Sequence, residues 1–211
     1  TKPFVSTTAQ MPKEVTRVPL TKTRDAVTAQ TVDLTPNTAT VSDLHPNWSR
    51  DEQFMVFQSN RMDLAGTTAP STGASFHLYR MRADGSNVTA LTGPLSSSKV
   101  GAASSQTDPS FATGGNSVVY VDTDTSGVVD LFELNLSTGQ ARSVVKANPN
   151  GLVFTALNHP SYGFAIGGNV GVIFSGKVAG DSYHLYTVDV QSGQLTQLTT
   201  GAFDDMNPVL S

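Results

Sequence analysis

The sequence has no cysteine, one tryptophan and few charged side chains. The absence of cysteine from all 211 residues excludes a disulfide framework, a cysteine-ligated zinc site and a thiol nucleophile. Charged residues make up only 14% of the chain and the net charge is −4 without a basic cluster, so nucleic acid is not an expected partner. No apolar run approaches about 18 residues, so no membrane span is expected.

The abundant residues favour strands and turns. Threonine occurs 26 times and glycine 18 times, whereas the strong helix formers Glu, Lys and Arg are scarce. A chain of this length can bury a core as a single all-β domain. The chain begins at Thr1 without a signal-peptide pattern, so we expect a mature or trimmed form. The composition predicts an all-β fold.

A five-residue pattern, polar–Pro–x–apolar–small, occurs four times and is called the lead motif below. The prolines of successive lead motifs are 63, 51 and 48 residues apart, a spacing that indicates an internal repeat. The four lead motifs occupy residues 45–49, 108–112, 159–163 and 207–211.

Each of the first three lead motifs is followed by an apolar strand, a second strand with an aromatic residue, a glycine-containing turn and a third strand. About four short strands in a unit of this length are typical of a β-propeller blade. The distance from the aromatic residue to the closing strand is 13 residues in every unit: Tyr79 to Thr92, Phe132 to Val145 and Tyr186 to Thr199.

Residues 45–92 contain four features in this order: Pro-x-Trp-Ser, an apolar strand, Leu-Tyr-x-Met-x-x-Asp-Gly and Leu-Thr. With these features they resemble the blade of TolB-type propellers. The next two units resemble it with substitutions, and all three lack the Ser-Pro-Asp-Gly turn usual in the family. The resemblance implies antiparallel four-stranded blades in an exported protein, periplasmic or extracellular, that holds a protein or glycan partner. The family normally has six or more blades, whereas this chain has three and a fragment.

We predict an extended N-terminal arm over residues 1–44 and propeller blades over residues 45–211. The arm has little apolar surface, and residues 1–40 carry a net charge of +2 against −6 for the remainder. It could close a four-bladed ring within its own chain, or it could donate strands to a neighbouring copy and so build a filament. We expect donation. The predicted blades cover about 45–93, 108–146 and 159–200, with a partial fourth at 204–211.

The four histidines fall into two repeat-equivalent pairs. His45 and His159 each open a lead motif, and His77 and His184 each open a Leu-Tyr strand. Catalytic residues are normally unique, whereas repeat-equivalent residues serve the fold, so hydrogen bonding or packing is the favoured role. A metal site built from His45 and His159 near the propeller axis is the alternative. No catalytic residue is predicted, because the chain has no Gly-x-Ser-x-Gly elbow or other hydrolase motif.

One acidic loop has a spacing that could bind calcium. Asp122 and Asp124 alternate with hydroxyl side chains, and Asp130 is the nearest further acid. A glycine-terminated hairpin turn explains the same residues and is favoured, because Asp, Thr and Ser are common in such turns. We therefore expect no metal and no cofactor, with calcium as the alternative.

The aromatic residues of the repeat are predicted to form the core, and two sequons are candidate glycosylation sites. Asn87 and Asn135 lie beside turns in Asn-x-Ser/Thr sequences, whereas Asn47 lies inside a lead motif, where packing is expected to use it. The predicted repeat core comprises Trp48, Phe111, Tyr162, Tyr79, Phe132 and Tyr186, the first three in equivalent buried sites.

Three functions are compatible with these patterns. The first is a non-enzymatic extracellular structural protein that assembles with copies of itself by N-terminal strand exchange, and we expect this one. The second is a periplasmic or extracellular TolB-like module that binds a protein or glycan. The third is a small propeller hydrolase or lyase.

Overall fold

The computed structural model describes residues 16–17, 32–37, 40–71, 73–98, 100–145, 151–164 and 170–209, and it contains only strands and turns over these residues. A two-stranded ladder pairs β1 (Thr16–Arg17) with β2 (Val32–Asp33). The remaining twelve strands form three four-stranded antiparallel sheets, each built from strands consecutive in sequence. No helix in the described part of the chain is long and apolar enough to cross a membrane.

The three sheets are the predicted blades. Blade 1 consists of β3 (Asp43–Trp48), β4 (Phe54–Ser59), β5 (His77–Arg82) and β6 (Thr89–Ala90). Blade 2 consists of β7 (Ser105–Phe111), β8 (Ser117–Thr123), β9 (Val129–Asn135) and β10 (Ala141–Ser143). Blade 3 consists of β11 (Phe154–Phe164), β12 (Val170–Val178), β13 (Tyr183–Asp189) and β14 (Leu195–Gln197). The first strand of blade 2 contacts the first strands of both other blades, so the first strands line the inner side of the arc.

Every lead motif bends its strand in the same way. The first residue has a left-handed backbone in all four, with φ of 49° at His45, 51° at Asp108, 50° at His159 and 58° at Asn207. In each complete blade the ladder register shifts at this point, as in a β-bulge. Among residues other than glycine, Asn, Asp and His adopt this conformation most readily. The left-handed backbone therefore explains why the residue before proline is His, Asp or Asn in every lead motif.

The third residue of each of the first two lead motifs hydrogen-bonds to the next blade. The side-chain Oδ1 of Asn47 accepts a hydrogen bond of 2.9 Å from the backbone N–H of Phe111. One blade later, Ser110 Oγ accepts the N–H of Tyr162 at 3.3 Å. These bonds satisfy backbone donors that face a neighbouring blade, where an unpaired group would cost about 1–3 kcal/mol. Asn47 is thus used in the fold, as the sequence predicted.

The core lies between the blades because each sheet buries both of its faces. In β4, Met55 and Phe57 point to one side and Val56 to the other, which is the alternation of a strand. The side of Val56 packs on blade 2, whereas Met55 and Phe57 are covered by Leu34 from the segment before the blade. A larger cluster of aliphatic and aromatic side chains joins blades 2 and 3.

The prediction that the three lead-motif aromatics share one buried environment is wrong for Trp48. Phe111 is 7% exposed and Tyr162 is half-buried, but Trp48 is 38% exposed. Strand pairing confirms that the three positions are equivalent, since each aromatic residue lies opposite the corresponding position of the second strand in its own blade. The difference arises because Phe111 and Tyr162 are covered by the preceding blade, and blade 1 has none among the described residues. Of the other predicted core residues, Tyr79 and Tyr186 are fully buried and Phe132 is half-buried.

Part of the predicted arm packs on blade 1 of its own chain. Leu34 is buried in the blade 1 cluster, and Asn37 donates a 2.7 Å hydrogen bond to Asp43 Oδ2. Asp43 in turn forms a buried ion pair of 2.7 Å with Arg61, whose guanidinium lies over the rings of Phe57 and Tyr79. The remaining arm residues before 32, apart from 16–17, lie outside the described residues.

The asymmetry between Phe111 and Trp48 predicts different costs of truncation in the monomer. Phe111→Ala should reduce the free energy of unfolding by about 3 kcal/mol, because it leaves a cavity between two blades. Trp48→Ala should cost less than half as much, since its ring is partly in water. Urea unfolding of dilute protein measures both, and equal costs would contradict the assignment of Trp48 to an open side.

Candidate functional site

The first residues of three lead motifs meet on the inner side of the arc. The ligand atoms of His45, Asp108 and His159 all lie within 4.8 Å of one another. The Nδ1 atom of His45 contacts Asp108 Oδ1, and the imidazole rings of His45 and His159 have centroids 5.4 Å apart at an interplanar angle of 42°. We call these three residues the axial triad. They are the one group of three or more potential metal ligands found within the described ranges.

The side chain of Gln58 in blade 1 positions the central member of the axial triad. Gln58 is buried in β4, and its Oε1 accepts the backbone N–H of Asp108 at 2.7 Å. The same side chain also contributes to raising the pKa of His45. One buried amide therefore fixes Asp108 of blade 2 from within blade 1.

The axial triad combines a buried acid with accessible imidazoles. The side chain of Asp108 is 8% exposed, whereas that of His45 is 40% exposed and His159 is also exposed. The hydrogen bond to Asp108 raises the pKa of His45 above its ordinary value of 6.5, and this effect outweighs the opposing effect of burial. The carboxylate thus favours a positive charge beside it, and the open side leaves room for a ligand from solvent.

Sequence reasoning paired His45 with His159 but omitted Asp108. The signal that identifies Asp108 was present, since it opens the lead motif between the two histidine-containing ones. A search for repeated histidines finds only His45 and His159. Comparing the first residue of each lead motif finds Asp108 as well. The structure brings together what the repeat position predicts.

The second histidine pair has a role in the contact between blades. His77 is buried and its Nδ1 lies 2.7 Å from Oε1 of Gln106, two residues before the second lead motif. His184 is buried at the equivalent place and lies 3.8 Å from Asp205, two residues before the fourth lead motif. The predicted structural role fits both residues.

The three acids of the calcium alternative do not form a ligand group. Asp122 accepts hydrogen bonds from Ser104 Oγ and the side-chain amide of Gln106, each at 2.8 Å. Asp124 accepts the backbone N–H groups of residues 126 and 128 and so caps its own hairpin turn. Asp130 accepts the N–H of Leu131 at 2.7 Å on the neighbouring strand. Asp124 serves the hairpin turn, as the turn interpretation predicts, whereas Asp122 and Asp130 lie in β8 and β9.

Both candidate glycosylation asparagines are exposed. Asn87 lies in the turn between β5 and β6 with a φ of 56°. Asn135 ends β9, and its Oδ1 accepts the N–H groups of Ser137 and Thr138. Their modification stays a prediction.

A cleft of about 300 Å³ lies between blades 1 and 2, at the opposite ends of the first strands from the axial triad. Arg80 lines it and stacks over the ring of Phe54 with 4.8 Å between the guanidinium carbon and the ring centroid. Polar groups from two hairpin turns complete the lining, including Asp51 and Asn116.

No family model and no curated protein matches this chain, whereas solved structures do. TolB from Acinetobacter baumannii matches 86% of this chain and 38% of its own, at 17% identity and a TM-score of 0.60. A putative TolB from Agrobacterium tumefaciens matches 84% of this chain and 57% of its own, at 12% identity and a TM-score of 0.55. The chain has a TolB-like β-propeller fold. It spans less than two thirds of either TolB chain.

The same blades also match a propeller-containing enzyme. A Mycobacterium tuberculosis puromycin-hydrolyzing peptidase matches 80% of this chain but only 22% of its own, at 16% identity and a TM-score of 0.50. Such identities show a shared fold and do not transfer an activity.

Burial of Asp130 predicts a pH-dependent stability. Burial, its largest cause, raises the pKa of Asp130 above its ordinary value of 3.8. A raised folded-state pKa means that the stability Asp130 contributes is present below its unfolded pKa and is lost as pH rises through the folded pKa. Asp130→Asn should therefore raise the melting temperature at pH 7 and leave it nearly unchanged at pH 3.5. Asp124→Asn on the exposed turn is the control, and an Asp130→Asn protein that is less stable at pH 7 contradicts the prediction.

Proposed function

We propose that this chain is a non-enzymatic structural protein, exported to the periplasm or cell exterior, which assembles head to tail with copies of itself. The observation that carries the proposal is that certain apolar positions of both outer blades are more exposed than their counterparts that face a neighbouring blade. A second copy would cover these positions in both outer blades. A heterologous contact of this kind forms a ring when the rotation closes and a filament when it does not.

On the open side of blade 3, apolar residues are less buried than the equivalent residues of blade 1. Val56 and Leu78 of blade 1 are fully buried by blade 2. The equivalent Ile173 and Leu185 of blade 3 are only half-buried. Phe203 and Val209, which follow blade 3 in the chain, are 84% and 83% exposed. Apolar exposure of this extent on one edge is typical of an interaction surface.

A fourth blade is begun on this edge. The N–H of Asp205 donates to the carbonyl of Tyr183 at 2.8 Å, and Asn207 N–H donates to Ser175 Oγ at 3.1 Å. The second bond repeats the way in which Gln58 holds the second lead motif. The described start of the fourth lead motif, residues 207–209, is thus held against blade 3, and it is part of no sheet in the described part of the chain.

The open side of blade 1 offers the complementary surface. Trp48 is 38% exposed there, and Val32 beside the blade is 47% exposed. In the interior of the arc, the residue equivalent to Trp48 packs on the preceding blade. We infer that blade 3 of one copy covers Trp48 of the next.

The N-terminal residues are the proposed strand donor. Residues 32–37 pack on their own blade 1, so the donated segment lies before residue 32. The net charge of +2 over residues 1–40 complements the −6 of the remainder. Because β1 pairs with β2 in the same chain, the donor is the segment before β1, and 15 extended residues span at most roughly 50 Å. Strand addition would pair the backbone groups of the fourth lead motif.

The cleft favours a second candidate, a TolB-like module that binds a protein or glycan partner. Its Arg80, Asp51 and Asn116 offer charged and amide groups beside the ring of Phe54. Such a mixture suits a polar partner with one apolar group. This function needs no contact between copies.

Assembly predicts a concentration-dependent change in the fluorescence of the single tryptophan. As protein concentration rises, light scattering should show growth in mass while Trp48 emission shifts to the blue and becomes less accessible to acrylamide. Phe203→Glu and Val209→Glu should each weaken assembly at least about tenfold, because a charge must be desolvated at the interface. Val128→Glu, at a site 56% exposed on the hairpin between β8 and β9, is the matched control.

Deletion of residues 1–30 distinguishes strand donation to a neighbouring copy from ring closure by the N-terminal strands of the same chain. Donation predicts a folded monomer that no longer grows, whereas closure in cis predicts a destabilised monomer. Intact protein that stays monomeric at high concentration contradicts assembly and leaves the binding module as the better account.

A further inference from the structure

The axial triad presents two imidazoles and one carboxylate to a single point. His45, Asp108 and His159 come from three different blades, so their convergence is a product of the tertiary fold. A left-handed backbone explains why a histidine or an aspartate occupies each position. It does not explain why their ligand atoms lie within 4.8 Å of one another.

We propose that the axial triad binds one divalent transition-metal ion of the first row, such as Zn²⁺. Imidazole nitrogen suits these ions, and a set of two histidines and one carboxylate leaves open coordination positions. Calcium is a poor fit, because it takes about 6–8 oxygen ligands. All three ligands belong to one chain, so the site does not depend on assembly.

The distances suit an ion after small side-chain rotations. Zinc binds histidine nitrogen at about 2.0–2.1 Å and carboxylate oxygen at about 2.0–2.2 Å, so ligand atoms around one ion lie roughly 3–4 Å apart. The present separations reach at most 4.8 Å. His45 and His159 are exposed and can turn, whereas Asp108 is buried and held in place. The exposed side leaves space for water as a further ligand.

A second layer of contacts already orients the ligands. Ligating histidines in metal sites usually hydrogen-bond to a further protein group that fixes their ring orientation. Gln58 holds the backbone of the ligand Asp108 from β4. We assign Gln58 as a positioning residue.

The charge of the axial triad is also suitable. Asp108 supplies a negative charge that is 8% exposed, and with His45 and His159 neutral the bound ion is only partly compensated. A chain with a net charge of −4 tolerates the remaining positive charge.

The test titrates ZnCl₂ into protein that has been stripped with EDTA and dialysed, with calorimetry and NMR of the histidine ring protons as readouts. We expect one ion per chain. The ring signals of His45 and His159 should shift, while those of His77 and His184, which lie at the blade contacts, should not. The four histidines of the chain make the second pair an internal control.

Variants of the exposed ligands keep the test independent of folding. His45→Asn and His159→Asn, which keep a residue suited to the left-handed backbone, should each weaken zinc binding at least about tenfold, and CoCl₂ should lose its ligand-field absorption in both. Asp124→Asn, an exposed turn acid, is the matched acidic control and should bind zinc unchanged. Absence of binding to the intact chain, shifts spread over all four histidines, or unchanged affinity in both histidine variants would each overturn the proposal.

Discussion

The structure depends on hydrogen bonds between the lead motif of one blade and the blade before it. Gln58 holds the backbone of Asp108, and Asn47 holds that of Phe111, so two residues of blade 1 fix the position and rotation of blade 2. The first bond satisfies a backbone group at the bulge of β7, and both bonds hold β7 against blade 1. They also bring Asp108 to the inner side of the arc, where it contacts His45. The contact between blades 1 and 2 and the meeting of these two residues of the axial triad therefore have one origin.

The internal repeat allowed the three sheets to be predicted from the sequence, but it did not predict the burial of every repeated residue. Equal spacing from Tyr79, Phe132 and Tyr186 to their closing strands indicated three similar sheets, and the structure has three. Equivalence in the chain was then taken to mean equivalence in burial, which failed at Trp48. Burial at this position is supplied by the preceding blade, and blade 1 has no preceding blade within the described residues.

The axial triad was half predicted. The histidine pair was visible because two lead motifs begin with the same residue, but Asp108 begins the one between them and was treated only as part of the repeat. Recognising it requires the knowledge that the first strands lie side by side and that the backbone is left-handed at the same residue in each. The three acids of the calcium alternative do not converge in this way, because Asp122 and Asp130 lie in strands and Asp124 lies in a turn, and each accepts hydrogen bonds from different partners.

Amide hydrogen exchange measured by NMR tests the central claim most directly. The account predicts that the N–H groups of Asp108 and Phe111 are protected to the level of the β8 ladder, because side chains of blade 1 accept them. Gln58→Leu should remove protection at Asp108, and Asn47→Ala should remove it at Phe111, while protection within β8 and β9 persists in both variants. Exchange of these two amides at the rate of an open loop in the unaltered protein would contradict the account.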